Sequence, residues 1–331
     1  MRDAKTKVSC GRRPGEVRRA TKRILRASLR RRLPFLNQPP PASPLFRMLE
    51  LTGRHLALGL GLVALLMCGL PAAAAEPAPD WVEPMKQVHA RFTGTRGTLA
   101  LFGDSITVSL AFWAPFQWEC KGLDPAGTRA WQTVRSYVRP ECWQQWRGPA
   151  YGNQSGMTVR WAYANLDGWL EKLNPEAAVI LFGSNDVGQL EAPEYEDKLR
   201  TVVRRCLTNG TVVLLTTMPP RSGRLEKSRQ FAEIARKLAR EERLPLVDYF
   251  TAILERRRTD WDGSLPQFKD TPGDEYQVPT LIARDGVHPS NPRQFADFSE
   301  SSLCHNGYAL RNYLTLTAYA AVIERVFQAA R

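Results

Sequence analysis

The chain has 331 residues, of which 43% are hydrophobic and 24% charged, and a formal net charge of +13. This is a globular composition; it excludes a wholly disordered or collagen-like chain, and no apolar run reaches the ~18 residues expected of a membrane-spanning helix. The charge is lopsided: residues 1–75 hold 15 Lys/Arg against three acids, and the other 256 residues hold 31 against 30, so the remainder offers no electrostatic case for nucleic acid as a partner.

Residues 1–47 carry Arg clusters and a Pro-rich stretch with too little apolar material for a core. They are expected to be a basic, unstructured extension, and Met48 is a second plausible start. From Met48 a short polar lead with Arg54 is followed by the apolar run Leu56–Leu70, Pro71 and the alanines 72–75. That order of segments is a secretory signal peptide over Met48–Ala75, with an uncleaved anchor as the competing reading. A secreted or periplasmic location, with no stable membrane insertion after cleavage, follows for residues 76–331, which are expected to form one domain.

Beyond residue 76 the pattern alternates. Thr98–Phe102 is a short apolar run stopped by Gly103, and Ala177–Phe182, Thr211–Thr216 and Leu244–Tyr249 repeat that form. Helical spacing covers Trp161–Leu173, Tyr195–Leu207, Arg224–Glu242 and Gly307–Gln328. Apolar strands separated by helices predict an α/β fold: a three-layer αβα, doubly wound, mostly parallel sheet. Two stretches, 113–150 and 258–306, read as irregular insertions. In such folds ligands bind beyond the carboxyl ends of the strands, so the residues just after each strand are the ones to weigh.

After the first strand comes Gly103-Asp104-Ser105, which can present a hydroxyl at a helix N-terminus, although by itself it is ordinary capping chemistry. After the second comes Gly183-Ser184-Asn185-Asp186, where an Asn amide can donate to a developing oxyanion. Between them, Tyr151–Thr158 includes Gly152 and Gly156, either of which can bring a backbone N–H close to substrate. Near the C-terminus, Asp285-Gly-Val-His288-Pro places a carboxylate where it can hold an imidazole and leave its far nitrogen free as a base. A metal held by Asp104, Asp186, Asp285 and His288 is a competing arrangement that explains fewer residues.

Taken in order and at strand ends, these blocks resemble the SGNH (GDSL-type) hydrolases, over about residues 98–320. The resemblance implies a serine esterase: Ser105 as nucleophile, His288 as base, Asp285 as its support, and an oxyanion hole from Ser105, Gly156 and Asn185, with no metal or cofactor. Gly156 is the least secure match, with Gly152 as rival. The partner implied is a small-molecule or polysaccharide ester. Short acyl groups on a carbohydrate are the favoured substrate, with a lipase or thioesterase, an acyltransferase and a non-catalytic glycan binder as alternatives.

Two further features await the fold. The 113–150 stretch contains Trp113, Trp118, Trp131, Trp143 and Trp146, and Trp113, Trp118, Trp143 and Trp146 are candidates for an exposed sugar platform, with a satellite core as the plainer reading. Cys120, Cys142, Cys206 and Cys304 are even in number and permit two disulfides in an oxidising compartment; Cys120–Cys142 is the preferred pair, against four free thiols. Asn153 and Asn209 match glycan acceptor motifs.

Overall fold

The computed structural model describes residues 79–292 and 296–328, so the basic extension and the Met48–Ala75 segment lie outside the described residues. Four parallel strands form the sheet: β1 (Leu99–Gly103), β2 (Ala177–Leu181), β3 (Val212–Thr216) and β4 (Leu246–Val247), hydrogen-bonded in that order. β1, β2 and β3 are buried along their whole length. That is why each is continuously apolar rather than alternating: both faces meet helices.

The helices in chain order are α1 (Val82–His89), α2 (Ser105–Val108), α3 (Pro125–Tyr137), α4 (Glu141–Gln144), α5 (Val159–Leu173), α6 (Ala192–Thr208), α7 (Leu225–Glu241), α8 (Tyr249–Arg256), α9 (Glu300–His305) and α10 (Gly307–Val322). α5, α6 and α7 pack side by side against one face of the sheet; α1, α3 and α10, with the π turn Ile323–Phe327 that ends α10, cover the other. The predicted helices all form, with ends moved by up to three residues, except that the last, expected to run to Gln328, is α-helical only to Val322 and continues as the π turn. The fourth strand is shorter than Leu244–Tyr249, because Asp248 caps α8 by accepting from Thr251 N and so stops the strand at Val247.

The winding reverses at β1. Gly103 forms a parallel bridge with Asn153 on the edge away from β2, its N–H donating to Gly152 O (3.0 Å) and its carbonyl accepting from Gln154 N (3.1 Å). The chain therefore leaves β1 toward one side, touches the sheet once at Asn153, and returns through α5 to β2 on the other. Such a reversal opens a crevice at the carboxyl end of the strand. Asn153 is fully buried and its side chain bonds to Gly148 N and to the Leu101, Trp146 and Tyr151 carbonyls, so it ties down the edge of β1 and is closed to a glycan.

The 113–150 stretch is not irregular. It contains α3, started by Asp124, whose side chain accepts from Gly127 N, and α4. Trp113 and Trp143 are buried and stack on each other, with ring centroids 5.5 Å apart, and Phe116 and Tyr319 meet Trp113 edge-on. Trp146 is half-buried against Tyr151. Burial therefore removes Trp113 and Trp143 from the expected platform: they belong to the main hydrophobic core, with Trp146 packed against it, and not to a satellite core. The burial of Trp113 also offsets a strained backbone: the residue, at φ +68° and ψ −43°, is the centre of a γ-turn closed by Ala114 N donating to Phe112 O (2.8 Å), a sparsely populated conformation that costs about 1–3 kcal/mol. The turn is held by the Asn312 side chain, which accepts from Trp113 N and donates to Ala111 O, each at 2.8 Å.

The expected disulfides are corrected too: Cys120, Cys142, Cys206 and Cys304 are all free. Each thiol has its own surroundings. Cys142 Sγ is buried and accepts from Leu99 N (3.3 Å), Cys206 is buried in α6, Cys120 donates to Trp118 O, and Cys304 lies against Arg256 and Glu300. Burial pushes the thiols of Cys120, Cys142 and Cys206 up to about 12, so these three are neutral and unreactive near neutral pH. The midpoint of thermal unfolding is accordingly expected to be the same with and without reductant; a lower midpoint in reductant would reveal a bridge.

Candidate active site

Gly103 sets the geometry. A Cβ there would stand 2.2 Å from Thr107 Oγ1 and 2.6 Å from Leu181 O, so only glycine lets the chain turn sharply out of β1 into α2. Asp104 caps the helix through Ile106 N (3.0 Å), and Ser105 becomes its first residue, with its hydroxyl at the strand end and its N–H among the unpaired donors of a helix start. Both readings of Gly-Asp-Ser therefore hold at once: the Asp is a helix cap, and the cap aims the Ser.

Two arginines, one fully buried and one half-buried, hold α2 from the other end. Arg311, from α10, is fully buried; it donates to Ile106 O (2.8 Å) and Thr107 Oγ1 (3.1 Å) and lies 3.6 Å above the centre of the Phe112 ring. Arg147 donates to Thr107 O (2.5 Å) and Phe112 O (2.8 Å). Cations favour the carbonyl end of a helix, and here they satisfy carbonyls that a four-residue helix cannot pair itself. Burial lowers both guanidinium pKa values to about 10, still charged at neutral pH. Nothing in the spacing of single arginines marks them in advance.

Ser105 Oγ lies 2.8 Å from His288 Nε2, and His288 Nδ1 lies 2.5 Å from Asp285 Oδ2. The other Asp285 oxygen accepts from Val287 N (2.9 Å) and His288 N (3.0 Å), which curls the loop around Gly286 at φ +71°. Burial alone would lower the His288 pKa, but the Asp285 hydrogen bond and charge outweigh it and lift the imidazole above its ordinary value. Burial would likewise raise Asp285; its hydrogen bonds from His288 and the backbone hold it below the usual carboxylate range instead.

Asn185 Nδ2 donates to Met157 O (3.0 Å) and to Asp104 Oδ2 (3.2 Å). Asp186, next to it, accepts from Val159 N (2.7 Å) and Gly183 N (2.9 Å), joining the loop after β2 to the start of α5. Burial pushes Asp104 up to about 6 and Asp186 to about 7, the latter with Asp104 as a like-charged neighbour. These two carboxylates are taken up by backbone N–H groups and by Asn185, and among the described residues no cluster of three or more His, Cys, Asp or Glu side chains is arranged to hold a metal ion.

Ser105, Gly156, Asn185 and His288 line one cleft of about 730 Å³, together with Tyr276 and Tyr308. A matching family model, described as GDSL-like Lipase/Acylhydrolase, spans residues 101–292. The chain belongs to the GDSL-like lipase/acylhydrolase family. It is therefore an ester hydrolase of the esterase type, and the match takes in the Ser105, Asn185 and His288 blocks together.

Similar solved structures include a lipase/acylhydrolase from Enterococcus faecalis (18% identity, 67% of this chain and 94% of that one, TM-score 0.41). A catalytic mutant of an acetylxylan esterase from Geobacillus stearothermophilus matches at 17% identity, over 71% of this chain and 96% of that one, with TM-score 0.42. A psychrotrophic esterase from Pseudoalteromonas sp. matches at 13%, over 67% and 96%, with TM-score 0.42. No curated protein sequence matches the chain.

Of the two glycines weighed for the GDSL-type oxyanion donor, Gly156 lines the cleft, at φ +80° with open space where a Cβ would go. Gly152 faces the core: a Cβ there would stand 2.3 Å from the Phe102 ring. No tryptophan among the described residues lines the cleft; Trp118 is 48% exposed, but away from it. Much of the lining comes instead from the 258–306 stretch, where Tyr276 meets the His288 ring edge-on at 5.9 Å. Tyr276 sits in a loop without periodicity, and composition did not flag it.

Two measurements follow. His288 is expected to titrate above ordinary imidazole by NMR, and Asp285→Asn to bring it down. The raised folded value means that the stability from this pair is fully present below the unfolded imidazole pKa and fades as pH rises through the folded one. Arg311→Met is expected to lower stability by about 1–3 kcal/mol, since it leaves the buried Ile106 carbonyl unpaired; an unchanged denaturation midpoint would contradict the clamp.

Proposed function

We propose that the protein is an exported serine esterase that removes short acyl groups, acetyl above all, from hydroxylated substrates such as carbohydrates. The observation that carries this reading is the continuous line of hydrogen-bonding atoms from Asp285 through His288 to Ser105 Oγ, at the mouth of a cleft at the carboxyl end of β1.

In this mechanism neutral His288 takes the Ser105 proton at Nε2 as Oγ bonds to the ester carbonyl carbon. Asp285 keeps Nδ1 protonated and supports the imidazolium that forms. The carbonyl oxygen becomes an oxyanion, met by the Ser105 and Gly156 N–H groups and the Asn185 amide. Among the described residues the Gly156 N–H has no protein acceptor. The Asn185 amide is pre-positioned by its bonds to Asp104 and Met157, and it serves the oxyanion by exchanging one of them. The C–O bond to the alcohol then breaks, and the alcohol leaves with the proton from His288. Water, deprotonated by the same nitrogen, attacks the acyl-enzyme and restores Ser105. The Met48–Ala75 segment is the export signal in this reading.

Hydrolysis of p-nitrophenyl esters from C2 to C12 tests it. Activity is expected to fall beyond C2–C4 and to vanish in Ser105→Ala; activity that rises with chain length would favour a lipase, and activity retained without the serine would overturn the triad. Asn185→Ala is expected to lower kcat by about 10²–10³ with little change in KM. kcat/KM is expected to rise with pH through the elevated His288 pKa, since only the neutral imidazole can accept the serine proton.

A further inference from the structure

The cleft lining has an apolar part and a polar part. Val108, at the end of α2, and Ala111 supply the first; Asp274, Tyr276 and Gln277, from the 3₁₀ turn Glu275–Gln277, and Asn291 supply the second, with the Tyr276 ring against His288. Among the described residues, His288 and Asp274 are the titratable acid or base side chains of the lining apart from tyrosine, and no described lysine or arginine is among them.

The polar wall is fastened to the loop that carries the imidazole. Tyr276 O accepts from Asn291 N (2.7 Å), and Glu275 O accepts from Arg284 N (2.9 Å). Arg284 and Asn291 bracket Asp285 and His288 in sequence. Asp274 Oδ1 caps the turn by accepting from Tyr276 N (2.9 Å), and the Asn291 carbonyl oxygen of the side chain accepts from Asn306 Nδ2 (2.9 Å). Wall and base are thus one rigid piece, while the Asp274 and Gln277 side chains stay exposed to the cleft.

Chemistry decides which part of an ester meets this wall. The acid that protonates the leaving oxygen is His288 Nε2, so the alcohol must lie on the imidazole side, and the acyl group falls toward Val108 and Ala111. We propose that the Asp274–Gln277 turn is the alcohol-recognition wall and selects a neutral polyhydroxylated alcohol, a sugar ring, over apolar or anionic alcohols. The inference rests on the esterase reading above. The Asp274 carboxylate accepts from sugar hydroxyls in charge-assisted hydrogen bonds, the Gln277 and Asn291 amides serve both donors and acceptors, and the Tyr276 ring offers an apolar face to the C–H side of the sugar. An anionic alcohol would meet Asp274 with no compensating cation among the described residues of the lining.

The test holds the acyl group constant and varies the alcohol: a monoacetylated methyl glycoside, its uronate counterpart and n-butyl acetate, each assayed for released acetate by the full chain. The wild type is expected to prefer the neutral glycoside over both. Asp274→Asn and Tyr276→Ala are each expected to lower the ratio of kcat/KM for glycoside over n-butyl acetate by about tenfold, roughly one lost contact, mainly through KM. Asp274→Lys is expected to shift preference between neutral and uronate glycosides toward the uronate by at least about tenfold. Unchanged ratios in all three variants, or a wild type indifferent to the alcohol, would overturn the wall. Absence of acetate release from every ester would overturn the esterase reading on which it rests, and is told apart from failure of the wall alone by retained n-butyl acetate turnover.

Discussion

The contact between Ser105 and His288 joins two loops 183 residues apart in the chain, and much of the fold serves to keep those loops at hydrogen-bond distance. Each is a sharp turn that only particular residues permit. On the serine side, Gly103 passes between Thr107 and Leu181 with no room for a side chain. On the histidine side, one Asp285 oxygen is spent on two backbone N–H groups, which leaves the other to hold the imidazole. Because both turns are locked by their own hydrogen bonds, little conformational entropy remains to be lost when a substrate arrives.

The loops at a strand end bring polar backbone into a buried region, and those groups must be paired internally. Charged side chains do much of this pairing. Arg311 and Arg147 supply donors to the carbonyls around α2, while Asp104 and Asp186 supply acceptors to the N–H groups of the loops after β1 and β2. A buried ion is costly unless its hydrogen bonds are met, and here each of the four meets backbone that would otherwise be orphaned. The same network holds Asn185, through Asp104, at the rim of the cleft.

The tryptophans show how composition can point to the right segment and the wrong use. Five of them crowd one stretch, and a binding platform is one natural reading; the structure instead packs Trp113 and Trp143 beneath the turn that follows α2. An indole is worth more buried than exposed unless a ligand covers it, and α3 and α10 supply the cover. The aromatic ring beside the imidazole is Tyr276, from a segment whose sequence has no regular period and whose position is set by backbone bonds to Arg284 and Asn291.

The four strands, their parallel pairing and the residues at their carboxyl ends were legible in the sequence, because a strand covered on both faces must be apolar throughout and must stop at a turn; their order in the sheet was not. Ser105 and Asn185 were legible as candidates because they follow β1 and β2; Asp285 and His288, in the 258–306 stretch, were legible as candidates only through a block whose residue types have few other uses after the other two. Tertiary structure alone showed that Gly156 lines the cleft while Gly152 faces Phe102, on either side of the Asn153 bridge. It alone placed Arg311 against Ile106, left the four thiols apart, and turned Trp113 and Trp143 inward. Those outcomes depend on which surfaces meet after the sheet has formed, and distances between elements remote in the chain are not written in local spacing.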